Sequence, residues 1–272
     1  MSRIMEAPHD RDLELEEARL FERGLAEAGT VYGELALTLG EYLEGATFVL
    51  PNNEHFPDAI ELSPEGLETL LRRVISYTPL SEDDPLSLQF IRPEEQEDGK
   101  SCSSGACGPA ATPGNVRGLL GRDGNGDWIV PVHVQDAANP VRITAHFAWM
   151  AGAMLLATAD ANPPRMSAQE YEVRAEIAAV ACGFAPLLLA ASHVVLKGCS
   201  GVRVHHGTAL PTDVLAGLAV LFAAHHNDSR GLRQMKGLLE ATQQEALDRA
   251  VAFFAKRPSF SARFRADPSS IA

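Results

Sequence analysis

Trp128-Ile-Val-Pro-Val-His-Val134 reads as a short apolar strand, and Asn139-Pro140 leads at once into a helix of almost unbroken apolar character over 140–157. On that helix Ile143, Phe147, Met150, Ala151, Met154 and Leu155 recur with helical period. Such a segment needs cover, because an apolar stripe left in water forgoes the burial that stabilises a helix. The chain supplies it. A second long helix is expected over 168–196, apolar from Ile177 onward, with Pro186 expected to break or kink it, and further helices are expected over 211–226 and 230–256.

The amino-terminal half is more mixed. Residues 12–28 place Leu13, Glu17, Leu20, Phe21 and Leu25 at helical spacing among charges, which predicts an amphipathic helix; 32–43 is weakly helical, and 51–58 has loop composition. Ser63-Pro64-Glu65 carries a cap, a proline at the first helical position and an early acid, so a helix is expected over 64–77. Ser87 to Ile91 alternates as a strand. Residues 93–113 read as a surface excursion, and 115–120 and 127–134 as a hairpin across Arg122-Asp-Gly-Asn-Gly126, whose glycines supply positive φ. The expected class is therefore α+β: a small mixed or antiparallel sheet of three or four strands, packed against a mostly helical carboxy-terminal half. The expected organisation is a helical extension over 1–45, one domain over 46–257 and a tail over 258–272.

Charge narrows the partners. The chain has 272 residues, with 36 acidic against 23 basic, a formal charge of −13. That balance repels phosphate backbones and anionic lipid, so neither nucleic acid nor membrane is an expected partner, and a protein partner is. The apolar run 177–196 reaches the lower limit for a membrane span, but Cys182, Gly183, Pro186, Ser192 and His193 interrupt it, and it reads as a core helix. The first ten residues lack the pattern of a secretory signal, and four cysteines suit a reducing compartment; a cytoplasmic location is expected.

Several groups are candidates for chemistry, and each has a plainer reading. Asp123-Gly-Asn-Gly-Asp127 begins like a calcium loop, yet Trp128 and Val134 stand where that loop needs Gly and Glu, and a hairpin turn is expected. Cys102 and Cys107 could bind a metal, close a redox loop or do nothing; Lys100 is the only nearby cation to lower a thiol pKa. His205-His206 and His225-His226 are adjacent pairs whose members point apart, so neither pair alone chelates, although one histidine from each could meet in space. The plain reading leaves these histidines in solvent.

A strand, a helix and then an acidic helix carrying Glu172 and Glu176 reproduce the layout of a zinc peptidase core. In such a core two histidines four residues apart bind zinc, the glutamate after the first polarises water, and an acid on the next helix completes the site. In this frame His146 is the first ligand, Phe147 stands at the base position and Met150 at the second ligand. Phe56-Pro57-Asp58, the helix after it, the hairpin, Asn139-Pro140, the stretch from Glu172 to Phe184 and Leu210-Pro211 follow in matching order. On these features the chain resembles an uncharacterised bacterial family of zincin-like, HExxH-type metallopeptidase-like proteins, over most of 48–256.

The resemblance implies a zincin-like fold and a vestigial metal site at His146, Glu172 and Glu176. Phe147 cannot accept a proton and the Met150 thioether is a poor zinc ligand, so it also implies a degenerate member with no catalytic residues and no cofactor. His146 would then survive by hydrogen bonding to Glu172 or Glu176. The expected function is a non-catalytic binding or scaffolding subunit of a cytoplasmic assembly. One alternative is a zinc-binding protein or metal-dependent hydrolase rebuilt around His146 and Glu172 or Glu176, with His133 or a loop cysteine recruited; another is a thiol redox protein using Cys102 and Cys107.

Overall fold

The computed structural model describes residues 8–43, 45–91, 120–159, 166–198, 201–205 and 207–262. In chain order come α1 (Pro8–Thr38), a 3-10 turn (Gly40–Leu43), α2 (Pro64–Ile75), β1 (Leu86–Ile91), β2 (Gly121–Arg122) and β3 (Trp128–His133). Then follow α3 (Val134–Ala137), α4 (Pro140–Thr158), α5 (Ala168–Ala181), α6 (Ala185–Ser192), β4 (Val194–Gly198) and β5 (Gly201–His205). The helices α7 (Thr212–His226), α8 (Ser229–Leu238), α9 (Ala241–Lys256) and α10 (Pro258–Ala262) close the described chain. The class is α+β and mostly helical, and no helix among the described residues is long and apolar enough to cross a membrane.

The main sheet has the order β1-β3-β2 and is mixed: β1 runs parallel to β3, with Leu88 opposite Val130, and β2 runs antiparallel to it. Trp128, Val130 and Val132 point into the core from the central strand. Proline is rare in a central strand because it lacks an N–H for the ladder. Pro131 is tolerated here because β2 pairs only as far as Ile129. The expected turn is present: the Asp123 carboxylate accepts from the amides of Asn125 and Asp127, and Gly126 takes a φ of 91°. Residues 115–119 of the expected first hairpin strand and the 93–113 loop, with Cys102 and Cys107, lie outside the described residues.

Helix α4 is the hub. Asn139 caps it by accepting from the amides of Val141 and Arg142, Pro140 occupies its first turn, and every residue from Ile143 to Leu156 is buried. It packs on α2, α5 and α6. Helix α5 begins with a capping box between Ser167 and Glu170, and it approaches α4 closely at Gly152. A Cβ added there would lie 2.2 Å from the Ala175 carbonyl oxygen. The Trp149 indole donates to the Glu172 carbonyl at 3.0 Å, which fixes the two helices in register.

Four boundaries differ from the expectation. The expected helices over 12–28 and 32–43 are largely one helix, α1, because Leu25, Ala28, Tyr32, Leu35 and Ala36 continue a single buried stripe. That stripe belongs to the same core as α4. The 168–196 stretch breaks at Gly183, not at Pro186: Gly183 adopts φ 91° against the Thr47 carbonyl, and Pro186 sits in the first turn of α6, where its missing N–H costs nothing. Its last three residues leave the helix for the β4–β5 hairpin. The expected 230–256 helix is two, α8 and α9, separated by extended backbone at Leu239 and Glu240.

Candidate functional site

The residues singled out by the zinc-core frame lie where β3, α4 and α5 meet. His146 is 5% exposed, and its Nε2 lies 2.7 Å from the Pro131 carbonyl oxygen. A carbonyl only accepts, so Nε2 carries the proton and donates it. In the neutral ring Nδ1 then holds the lone pair. The contact joins the middle of β3 to the face of α4 fifteen residues later. His146 also stacks at 6.5 Å from Trp149, within a wall that includes Phe147 and Tyr171.

Glu176 is fully buried, and its Oε2 accepts from the Leu210 amide at 2.7 Å. Its carboxylate thereby fastens the segment that enters α7. Around it the Thr208 hydroxyl donates to the Leu210 carbonyl, the Thr212 hydroxyl to Ser192 Oγ, and the Ser192 hydroxyl to the Leu189 carbonyl. Gln243 of α9 donates to the His193 carbonyl. Glu172, one turn earlier, meets α4 through its backbone carbonyl. His133 ends β3 next to α3, and Arg142 pairs with Asp136 across the α3–α4 corner.

The positions of the zinc-peptidase frame do not fit a catalytic zinc of that type. Phe147 and Met150 are fully buried and supply neither a base nor an imidazole. A nitrogen that donates its proton to a carbonyl has no lone pair for a metal, so His146 Nε2 is not a ligand in this arrangement. Among the described residues no group of three or more His, Cys, Asp or Glu side chains is gathered to hold a metal ion, so His146, Glu172 and Glu176 are not brought together as a set.

The helix-end histidines do not conform to the expectation that they sit in solvent. His225 and His226 are half-buried at the carboxyl end of α7. The Tyr32 hydroxyl lies 3.3 Å from His225 Nδ1, and the His226 ring packs on Phe222 at 4.4 Å. Burial holds the Tyr32 phenol well above its usual range, so it stays protonated. Burial also pushes the Cys182 thiol up to about 12, which leaves that cysteine inert. The His226 imidazolium is disfavoured first by burial and then by neighbouring His225, with Asp228 opposing. Sequence reasoning missed this cluster because Tyr32 and His225 are 193 residues apart; the only local signal was Phe222 one turn before His226. His205 lies on β5, and His206 and Cys199 lie outside the described residues.

No protein-family model matches the chain, and neither does any curated protein or any solved structure.

Proposed function

We propose that this chain is a zincin-like pseudoenzyme, a non-catalytic protein-binding or scaffolding subunit built on a degenerate metallopeptidase core. The observation that carries the reading is the filled site: Phe147 and Met150 lie fully buried in α4 beside a histidine whose Nε2 is committed to the Pro131 carbonyl. Replacing a base and a ligand with apolar side chains converts a water-activating pocket into packing, and a core packed to interior density excludes the water such a pocket needs. A strand whose carbonyl is read by the following helix, with an acidic helix behind, supports the zincin-like layout. Exposed apolar residues in the first half of α1, Leu15 at 54% and Leu20 at 63%, support a role in contacting another protein.

The test is elemental mass spectrometry on untagged protein prepared without chelator, repeated on His146→Ala and on the double variant Cys102→Ser/Cys107→Ser. The expected result is no stoichiometric zinc in any of the three. Stoichiometric zinc lost in His146→Ala would overturn the reading in favour of a rebuilt metal site; zinc lost only in the double variant would assign a metal to the cysteine loop. Protein crosslinking in cells then reads the binding role. Leu15→Glu/Leu20→Glu is expected to lose crosslinked protein partners while keeping the wild-type melting temperature.

A further inference from the structure

We propose that His226 is a proton-operated latch on the corner between α7 and α8, which when charged releases the 46–50 segment from the body of the protein. Three observations place it there. The first is the ring's setting: it packs on Phe222 at 4.4 Å, and Phe222 in turn packs on Phe48 at 4.7 Å. The second is its nitrogen. His226 Nε2 is shut off from solvent and has no hydrogen-bond partner among the described residues. In the neutral ring Nε2 can rest as a bare lone pair with the proton on Nδ1. Adding a proton creates a buried N–H for which there is no acceptor among the described residues, and a buried unpaired donor is costly enough to drive the ring outward.

The third observation is what the corner holds. Asn227 turns the chain with a left-handed φ of 55°, and Asp228 caps α8 by accepting from the Gly231 amide at 2.7 Å. The other oxygen of Asp228 accepts from the Phe48 amide at 3.4 Å. Val49 is held in turn by the Gly183 carbonyl at 3.0 Å. A charged His226 that leaves Phe222 removes the support behind Phe48 and competes for Asp228, the carboxylate that holds the Phe48 amide. Both effects act on the same short segment.

The charged and titratable groups acting on His226 are few. From its own helix His225 opposes protonation, and from the corner Asp228 favours it. Tyr32 of α1 reaches the pair through His225, with Cys182 close to it, and both stay neutral throughout the range in which an imidazole titrates. The device therefore answers to protons near and below the ordinary imidazole range of about 6.5.

The experiment follows hydrogen exchange of the Phe48 and Val49 amides on the full chain, corrected for intrinsic rates, from about pH 7.5 down to about pH 5. His226 itself is followed by imidazole NMR. Protection is expected to fall at least severalfold, with the midpoint of the His226 titration. His226→Phe keeps the ring on Phe222 without a titrating nitrogen and is expected to hold protection constant. His225→Gln is expected to move the midpoint to higher pH, and Asp228→Asn, which still caps α8, to lower pH. Protection that stays level while His226 titrates would overturn the proposal, as would wild-type loss of protection in His226→Phe. Should that variant fail to fold, an unmoved midpoint in both other variants would have the same effect.

Discussion

Two histidines in this molecule show what burial means with and without a partner. His146, in the α4–α5 region, hands its Nε2 proton to a backbone carbonyl on a neighbouring strand, and the surrounding groups are close-packed aromatic and small residues. His226, at the α7–α8 corner, hides the same nitrogen against a phenylalanine and meets no acceptor among the described residues. The first arrangement is structural: it specifies how a helix sits on a sheet. The second is responsive, since its lowest-energy state depends on whether a proton is present.

The contrast can be attacked from the rigid side first. Gly152→Val places a side chain where a Cβ already lies 2.2 Å from the Ala175 carbonyl, and it should force α4 from α5 at a cost of about 3 kcal/mol. Chemical denaturation would read this as a lower midpoint with little change in slope. Glu176→Ala strips the buried acceptor from the Leu210 amide and should cost about 2 kcal/mol, whereas Glu176→Gln retains an oxygen in place and should cost less. Equal losses in the two variants would mean that the charge, and not the hydrogen bond, fastens the entry to α7. His146→Phe preserves the ring volume but orphans the Pro131 carbonyl, for a loss of about 1 kcal/mol.

The smallest expected effect sharpens the comparison most. The folded chain binds a proton at His226 less readily than the unfolded chain does, because burial and His225 lower its affinity. As pH falls through about 6.5 the unfolded state takes up its proton first. This contribution to stability is therefore complete above that range and is lost on acidification, until the folded ring also protonates. In His226→Phe the slope of stability against pH should flatten between about pH 6.5 and pH 5, measured by urea midpoints at a series of pH values. In His146→Phe the drop caused by His226 should remain. An unchanged slope in His226→Phe would remove the distinction between the two sites.

What the residues announced, and what they concealed, divides along physical lines. Local chemistry was legible: Ser63-Pro64 and Asn139-Pro140 mark helix starts because capping acts within three residues, and the 123–127 turn follows from its aspartate and glycines. The long apolar stretches were legible as helices but not their ends. Val194, Val195 and Leu196 resume the apolar run of α6 after only Ser192 and His193, so the hairpin they form was hidden. The break before α6 depends on Gly183 meeting the Thr47 carbonyl, a contact fixed only by tertiary packing. For the candidate site, His146 stood out by its position. Its partner did not, because a backbone carbonyl has no residue type to betray it.

The parallel pairing of β1 with β3 has a consequence for the order of assembly. Ser87 of β1 meets the Trp128 carbonyl across 41 residues of chain, while β2 meets β3 through a turn of a few residues. Closing the longer loop carries an entropic penalty of roughly 3 kcal/mol before any strand pairing rewards it. The short ribbon of β2 and β3 can therefore form early on the emerging α4, and β1 joins late.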